Sequence, residues 1–147
     1  MERFEGTLPP TYFRNAFSVI FMYAINSTES ISSIPSWADS VSIQHIGEQG
    51  KNIIKALVGT KCDLEDEREV NKMRAKETAQ KSEINEDMVF EISAKTGDGV
   101  EEMFAAIAKA FKTREGRRQR HLAVRSHRNR KVQIENAAPK SETPHLL

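Results

Sequence analysis

Cysteine is almost absent: Cys62 stands alone among 147 residues, which excludes an internal disulfide framework and any zinc site built from several thiolates. Long apolar runs are missing as well. The longest, Ala16 to Ile25, covers ten residues, half of the roughly 20 that a membrane-spanning helix needs. It has the length of a signal-peptide core, but its leader (Glu2, Arg3, Glu5, Arg14) has no net positive charge and no small-x-small cleavage site follows. A cytoplasmic setting is therefore expected rather than secretion. Histidine is sparse and unpatterned: His45 is isolated, and His121, His127 and His145 fall near the end without metal-ligand spacing. What remains is 38% hydrophobic and 29% charged, an ordinary globular composition in a length that fits one domain.

The formal net charge of +1 hides a segregation. Residues 112–131 carry nine Lys/Arg against one acid, Glu115, leaving the other 127 residues at −7. A mildly acidic body thus carries a basic tail. After Lys131 no sustained periodicity is left, so two regions are expected: a domain over 1–114 and a basic, largely disordered tail over 115–147.

Within the body, Phe17–Ile25 is short, β-branched and aromatic, and apolar at successive positions, the pattern of a strand buried on both faces. Ile31, Ile34, Ala38 and Val41 recur at helical spacing, and Pro35, which lacks a backbone donor, belongs in the first turn of a helix over about 35–45. Ile53–Val58 reads as a second buried strand ended by Gly59. Asn71 is a candidate cap for a helix reaching Glu83, with Met73, Ala75 and Ala79 as a weak apolar face. Met88–Ile92 makes a third strand. After the turn Thr96-Gly-Asp-Gly99, residues Val100, Met103, Phe104, Ile107 and Phe111 form one apolar stripe, with Glu101 and Glu102 in the first turn, where they suit the helix dipole. Trp37 and the phenylalanines of this helix are expected in the core, and Cys62 as a small buried hydrophobe. Strands alternating with helices imply right-handed crossovers and a mainly parallel α/β sheet with flanking helices. Ligands in such sheets sit beyond the carboxyl ends of the strands.

Two loops occupy those ends: Gly59-Thr-Lys-Cys-Asp-Leu64 and, within Glu91-Ile-Ser-Ala-Lys-Thr-Gly97, the turn Ser93-Ala-Lys95. Taken singly, Lys-x-x-Asp is common in surface turns, and Ser-Ala-Lys can be a plain strand-to-helix connection capped by Ser93. In order, at two strand ends, they are far more specific, and the pair resembles the two guanine-recognition motifs of Ras-superfamily small GTPases. The likeness covers residues 1 to about 112 with Rab-like spacing: Met1–Phe4 looks like the end of the second switch, Thr11–Arg14 like the segment leading into the next strand, and Tyr23–Ser27 like that strand's end.

The resemblance implies a partial P-loop NTPase-like three-layer fold and a set of roles. Asp63 would accept hydrogen bonds from the guanine N1–H and 2-amino group, which suits an acceptor-only carboxylate. Lys61 would lay its stem along the purine, and Lys95 would cover the other face. The Ala94 N–H would donate to O6, and Ser93 would brace the loop. Thr60 departs from the commoner asparagine, a variation known in Rho-like members. The cofactor implied is GTP or GDP, with Mg²⁺, but only base contacts are assigned here. The phosphate cradle requires Gly-x-x-x-x-Gly-Lys-Ser/Thr after a strand. The decoy Gly50-Lys51 fails, with His45 and Asn52 at the flanking positions. No Mg²⁺ ligand is assigned, and Met1 occupies the place of the family's catalytic glutamine.

Two functional expectations follow. One is a Rab-like, guanine-nucleotide switch in vesicle trafficking or signalling, represented by its base-recognising C-terminal half, with weak nucleotide binding, no intrinsic GTP hydrolysis, and protein effectors or regulators as partners. The other is a catalytically inactive interaction module that acts through an exposed strand edge at 17–25 or through the basic tail. The family's prenylated cysteines have no counterpart in Thr143–Leu147. A solvated tail making weak electrostatic contact with membrane or nucleic acid is expected, placing the chain in the cytoplasm or peripheral to membranes.

Overall fold

The computed structural model describes residues 16–44 and 53–137. The readings placed on Met1–Phe4, Thr11–Arg14, Gly50-Lys51 and the terminus at Leu147 lie outside the described residues.

Three strands, β1 (Ser18–Ala24), β2 (Ile54–Thr60) and β3 (Val89–Glu91), run parallel in the order β1-β2-β3. Register is continuous from Ser18 opposite Ile54 to Ala24 opposite Thr60, and from Leu57 opposite Val89 to Gly59 opposite Glu91. Central β2 is buried through Ala56, Leu57 and Val58, which explains its uninterrupted apolar sequence. It also runs two residues past the expected stop. Gly59 continues the strand opposite Tyr23, and a β-carbon there would lie 2.7 Å from the Tyr23 hydroxyl, so close packing rather than a turn favours glycine.

β1 departs from expectation. Phe21 and Tyr23 are buried, whereas Met22 is 54% and the flanking Phe17 56% exposed. Among the described residues β1 is one of the two outer strands, and the face carrying Met22 is only partly covered, so the pattern of two-sided burial does not hold.

Helices α1 (Thr28–Ser32), α2 (Ile34–Gln44), α3 (Lys72–Lys81) and α4 (Val100–Ala137) complete the described elements with two short 3₁₀ turns. The helix expected over 35–45 is preceded by the one-turn α1, capped where the Ser27 side chain accepts from the Ser30 N–H. Pro35 falls in the first turn of α2, where its missing donor costs nothing. Asn71 caps α3 by accepting from the Arg74 N–H at 2.8 Å, as its position suggested. Ala75 and Ala79 are buried, together with Thr78, but Met73 points to solvent.

In α4 the buried face is narrower than the apolar stripe. Met103 and Ile107 enter the core, and Val100 and Ala110 pack against it. Phe104 is 57% exposed, and Phe111 is exposed beside Phe17 with ring centroids 5.0 Å apart. Burial therefore does not follow the centre of the stripe: by helical spacing Phe111 falls between Val100 and Phe104, yet it stays open while Met103 on the opposite flank is enclosed. Trp37 is half-buried against the core. Cys62 is also half-buried rather than enclosed, because its loop lies at the rim of the sheet.

The chain divides into two units, 1–111 and 112–147. In the second, α4 continues as regular helix to Ala137, where disorder was expected from residue 115. The segment lost its apolar periodicity but kept strong helix formers, and no proline interrupts it before Pro139. Glu115 also faces Arg118 at 3.9 Å and Gln119 at 3.4 Å, one turn on.

Candidate functional site

The carboxyl ends of β2 and β3 each release a polar loop, and backbone bonds tie the two together. The Cys62 N–H donates to the Ile92 carbonyl at 3.1 Å, and the Ile92 N–H to the Gly59 carbonyl at 2.7 Å. Leaving β2, the chain turns sharply at Lys61, whose φ of +62° lies in the left-handed region. A lysine adopts that conformation only when its surroundings enforce it. The turn closes where the Leu64 N–H donates to the Lys61 carbonyl at 2.9 Å.

Ser93 is fully buried and all its groups are engaged. Its hydroxyl donates to Asp63 Oδ1 at 2.6 Å and accepts the N–H groups of Lys95 and Thr96, both at 3.2 Å. Its own N–H donates to the Asp98 carbonyl at 3.0 Å, and its carbonyl accepts the Gly97 N–H at 2.8 Å. The Ala94 N–H is not among the groups these bonds use. Ser93 therefore lies behind the site and orients Asp63, which stands in solvent.

One hydroxyl occupies one of roughly four lone-pair positions on a carboxylate, so Asp63 keeps acceptor capacity on its open side. The Ser93 hydrogen bond is the main reason its carboxyl lies below the usual range, and Lys95 and Lys61 add to this. Asp63 is accordingly an anion at neutral pH. The neighbouring thiol moves the other way: burial pushes Cys62 up, and the Asp98, Asp63 and Glu91 carboxylates reinforce the shift, so its reactive thiolate is disfavoured.

Thr60, Lys61, Asp63 and Leu64 from one loop and Ala94 and Lys95 from the other line a single open pocket of about 350 Å³. Of the residues singled out in the sequence, five line the pocket and Ser93 supports it from behind. The Thr60 hydroxyl is turned away to donate to the Tyr23 carbonyl at 2.9 Å, which fastens β2 to β1. Two features escaped sequence reading. Leu64 supplies an apolar wall. Arg68 joins Glu65 and Glu91 in an ion-paired cluster behind the loop. Nothing periodic marks Arg68; the only local sign was its place three residues after Glu65.

Among the described residues no helix is long and apolar enough to cross a membrane. The Ras family model matches residues 1–113. Ras-related protein Rab5 of Nicotiana tabacum is 39% identical over 109 residues, 74% of this chain and 50% of the relative. Ras-related protein Rab-31 of Rattus norvegicus is 35% identical over 109 residues, 74% of this chain and 51% of its own length. GTP-binding protein ypt5 of Schizosaccharomyces pombe is 34% identical over 142 residues, 96% of this chain and 62% of the relative. The chain spans about half the length of most of these relatives. With the family pattern running through 1–113 and a parallel α/β sheet to match it, the chain belongs to the Ras family as a Rab-like member.

Proposed function

We propose that the pocket recognises the guanine base of GTP or GDP, and that the chain is the base-reading part of a Rab-like molecular switch. One observation carries this reading: the loops at 60–64 and 94–95 line the same pocket, with an ionised Asp63 held by Ser93 at its rim. A carboxylate in that position accepts from two adjacent donors, which guanine presents at N1 and its 2-amino group and adenine does not. The Ala94 N–H suits O6, while the stems of Lys61 and Lys95 suit the two faces of the ring. Leu64 adds apolar contact.

Phosphate recognition is a separate matter. Affinity for a nucleotide's phosphates comes from backbone N–H groups at a helix N-terminus and from a bound cation. These 147 residues contain no Gly-x-x-x-x-Gly-Lys-Ser/Thr, so the base pocket alone binds weakly, and no residue here is assigned to Mg²⁺ or to hydrolysis. Hydrolysis depends on positioning and charge stabilisation around the phosphates, so GTP turnover by this chain should not exceed that of Asp63→Ala.

The test is displacement of a fluorescent guanosine diphosphate from the full chain. GDP should displace it and ADP should not, with Asp63→Ala abolishing the signal. Equal displacement by GDP and ADP would refute base recognition. A second reading, a non-catalytic interaction module, is favoured by the exposure of Met22 on the outer strand β1 and of Phe17 just before it. Under it, nucleotide binding is absent, and partner binding is lost on introducing charge at Met22.

A further inference from the structure

The loop carrying Lys61 and Asp63 leaves β2 under tight control, since Gly59 and Thr60 are still in register with β1. Its outgoing end is held just past β1, where the Glu69 and Val70 N–H groups both donate to the Ile25 carbonyl at 2.9 Å, and Arg68 carries the tie across to β3. After Leu64 the chain makes a 3₁₀ turn over Glu65–Glu67, and the next side chain, Arg68, reaches back to β3. The guanidinium makes five hydrogen bonds. Nε and Nη2 donate to the two oxygens of Glu65 at 2.8 and 2.7 Å. Nη1 and Nη2 donate to those of Glu91 at 2.8 and 2.9 Å, and Nη1 also donates to the Val70 carbonyl at 2.9 Å.

The two carboxylates belong to different halves of the pocket. Glu65 lies two residues after Asp63, and Glu91 lies two residues before Ser93, within β3. We propose that Arg68 is a positioning residue for base recognition: its planar fork fixes the spacing between the Asp63 turn and the Ser93 turn without touching the base. This rests on the guanine reading given above.

Geometry and burial both favour the assignment. A guanidinium presents donors in a rigid plane and can satisfy two carboxylates in that plane at once, whereas an ammonium is a point charge with freely rotating donors. The arm to Glu91 is shielded, with side-chain exposures of 15% and 19%, so water screens it little. The arm to Glu65 is open on the glutamate side and is the weaker of the two. What the clamp protects is short-range: the 2.6 Å Ser93–Asp63 bond and the 3.1 Å bond from the Cys62 N–H to the Ile92 carbonyl. A shift of about 1 Å between the turns takes either bond outside hydrogen-bonding distance. Gly99 lies close to the backbone of the same residue, since a β-carbon there would strike the Glu91 carbonyl oxygen.

A plain stabilising ion pair makes different predictions from a positioning clamp. The experiment uses the full chain as wild type, Arg68→Gln, Arg68→Lys and Glu91→Gln. It reads hydrogen exchange at the Cys62 and Val58 amides, and titrations with GDP and inosine diphosphate, which lacks the 2-amino group. We expect Arg68→Gln and Glu91→Gln to speed exchange at Cys62 by about tenfold while central Val58 changes little, and to weaken GDP binding by about tenfold. The preference for GDP over inosine diphosphate should shrink, and Arg68→Lys should restore only part of it. Unchanged exchange at Cys62 in both glutamine variants, or a parallel rise at Cys62 and Val58, would overturn the inference. So would native GDP preference in variants whose Cys62 exchange has risen. If wild type does not distinguish GDP from inosine diphosphate, the guanine reading fails, and exchange at Cys62 then decides whether Arg68 spaces the turns.

Discussion

A carboxylate that reads the edge of a purine must be both aimed and ionised. Ser93 aims Asp63 through the 2.6 Å bond to Oδ1, and that bond, helped by Lys95 and Lys61, lowers the carboxyl below its ordinary 3.8. Because the folded value is the lower one, the contribution of Asp63 is fully present above the ordinary value and is lost only as pH falls through the lowered one. Guanine affinity should therefore stay flat from about pH 8 to about pH 5 as far as Asp63 is concerned. Asp63→Asn places an amide where only acceptors fit, so base preference should move from guanine toward xanthine, whose 2-oxo group accepts; competitive titration with the two nucleosides measures this. Tyr23 offers a contrasting case. Burial first, and then Glu91, push its phenol up to about 12 against the opposing pull of Arg68. A raised folded value means that its contribution is complete below the ordinary 10.0 and disappears as pH rises toward about 12. Its hydroxyl is buried without a hydrogen-bond partner among the described residues. Tyr23→Phe should thus raise stability at pH 7 by about 1 kcal/mol in urea unfolding and blunt the alkaline loss. A decrease would mean that the hydroxyl has a partner.

At the scale of elements, the turn between β3 and α4 separates two uses of glycine. Gly97 (φ +89°) has open space around it, whereas Gly99 (φ +71°) is pressed against the Glu91 carbonyl. Gly97→Ala should cost about 1 kcal/mol in thermal unfolding and Gly99→Ala about 3 kcal/mol or more, since the second adds a collision with backbone to the same conformational penalty. Equal costs would show that the contact at Gly99 relaxes. Elements whose signals are local were legible in the sequence: β2 from its apolar run, α3 from the cap at Asn71, and α2 from Pro35 and its helical spacing. Features set by what packs alongside were not. Phe104 and Phe111 share the apolar stripe with Met103 and Ile107, yet only the latter pair meets the core. The continuation of α4 past residue 115 has no apolar stripe to announce it; its local signals are helix-forming residues and the spacing of Glu115 from Arg118 and Gln119. Arg68 left only its spacing from Glu65, because its other partner is 23 residues away on β3.

For the molecule as a whole, the described sheet is open along β1. Its sequence Ser18-Val-Ile-Phe-Met-Tyr-Ala24 carries no charge, and Met22 and the adjoining Phe17 are more than half exposed. An uncharged outer strand invites pairing with another chain. Met22→Lys should increase the monomer fraction seen by light scattering without lowering the melting temperature; unchanged self-association would show that another surface drives it. The pocket was the most legible part of the molecule, because its residues sit in two contiguous motifs at strand ends, where topology requires a parallel sheet to place its ligands. Whether those motifs read guanine is tested most directly by titrating the isotopically labelled chain with GMP and with AMP and following the backbone amides. We expect saturable shifts at Lys61, Asp63, Ala94 and Lys95 with GMP and none with AMP. Shifts scattered elsewhere, or the same response to both nucleotides, would contradict it.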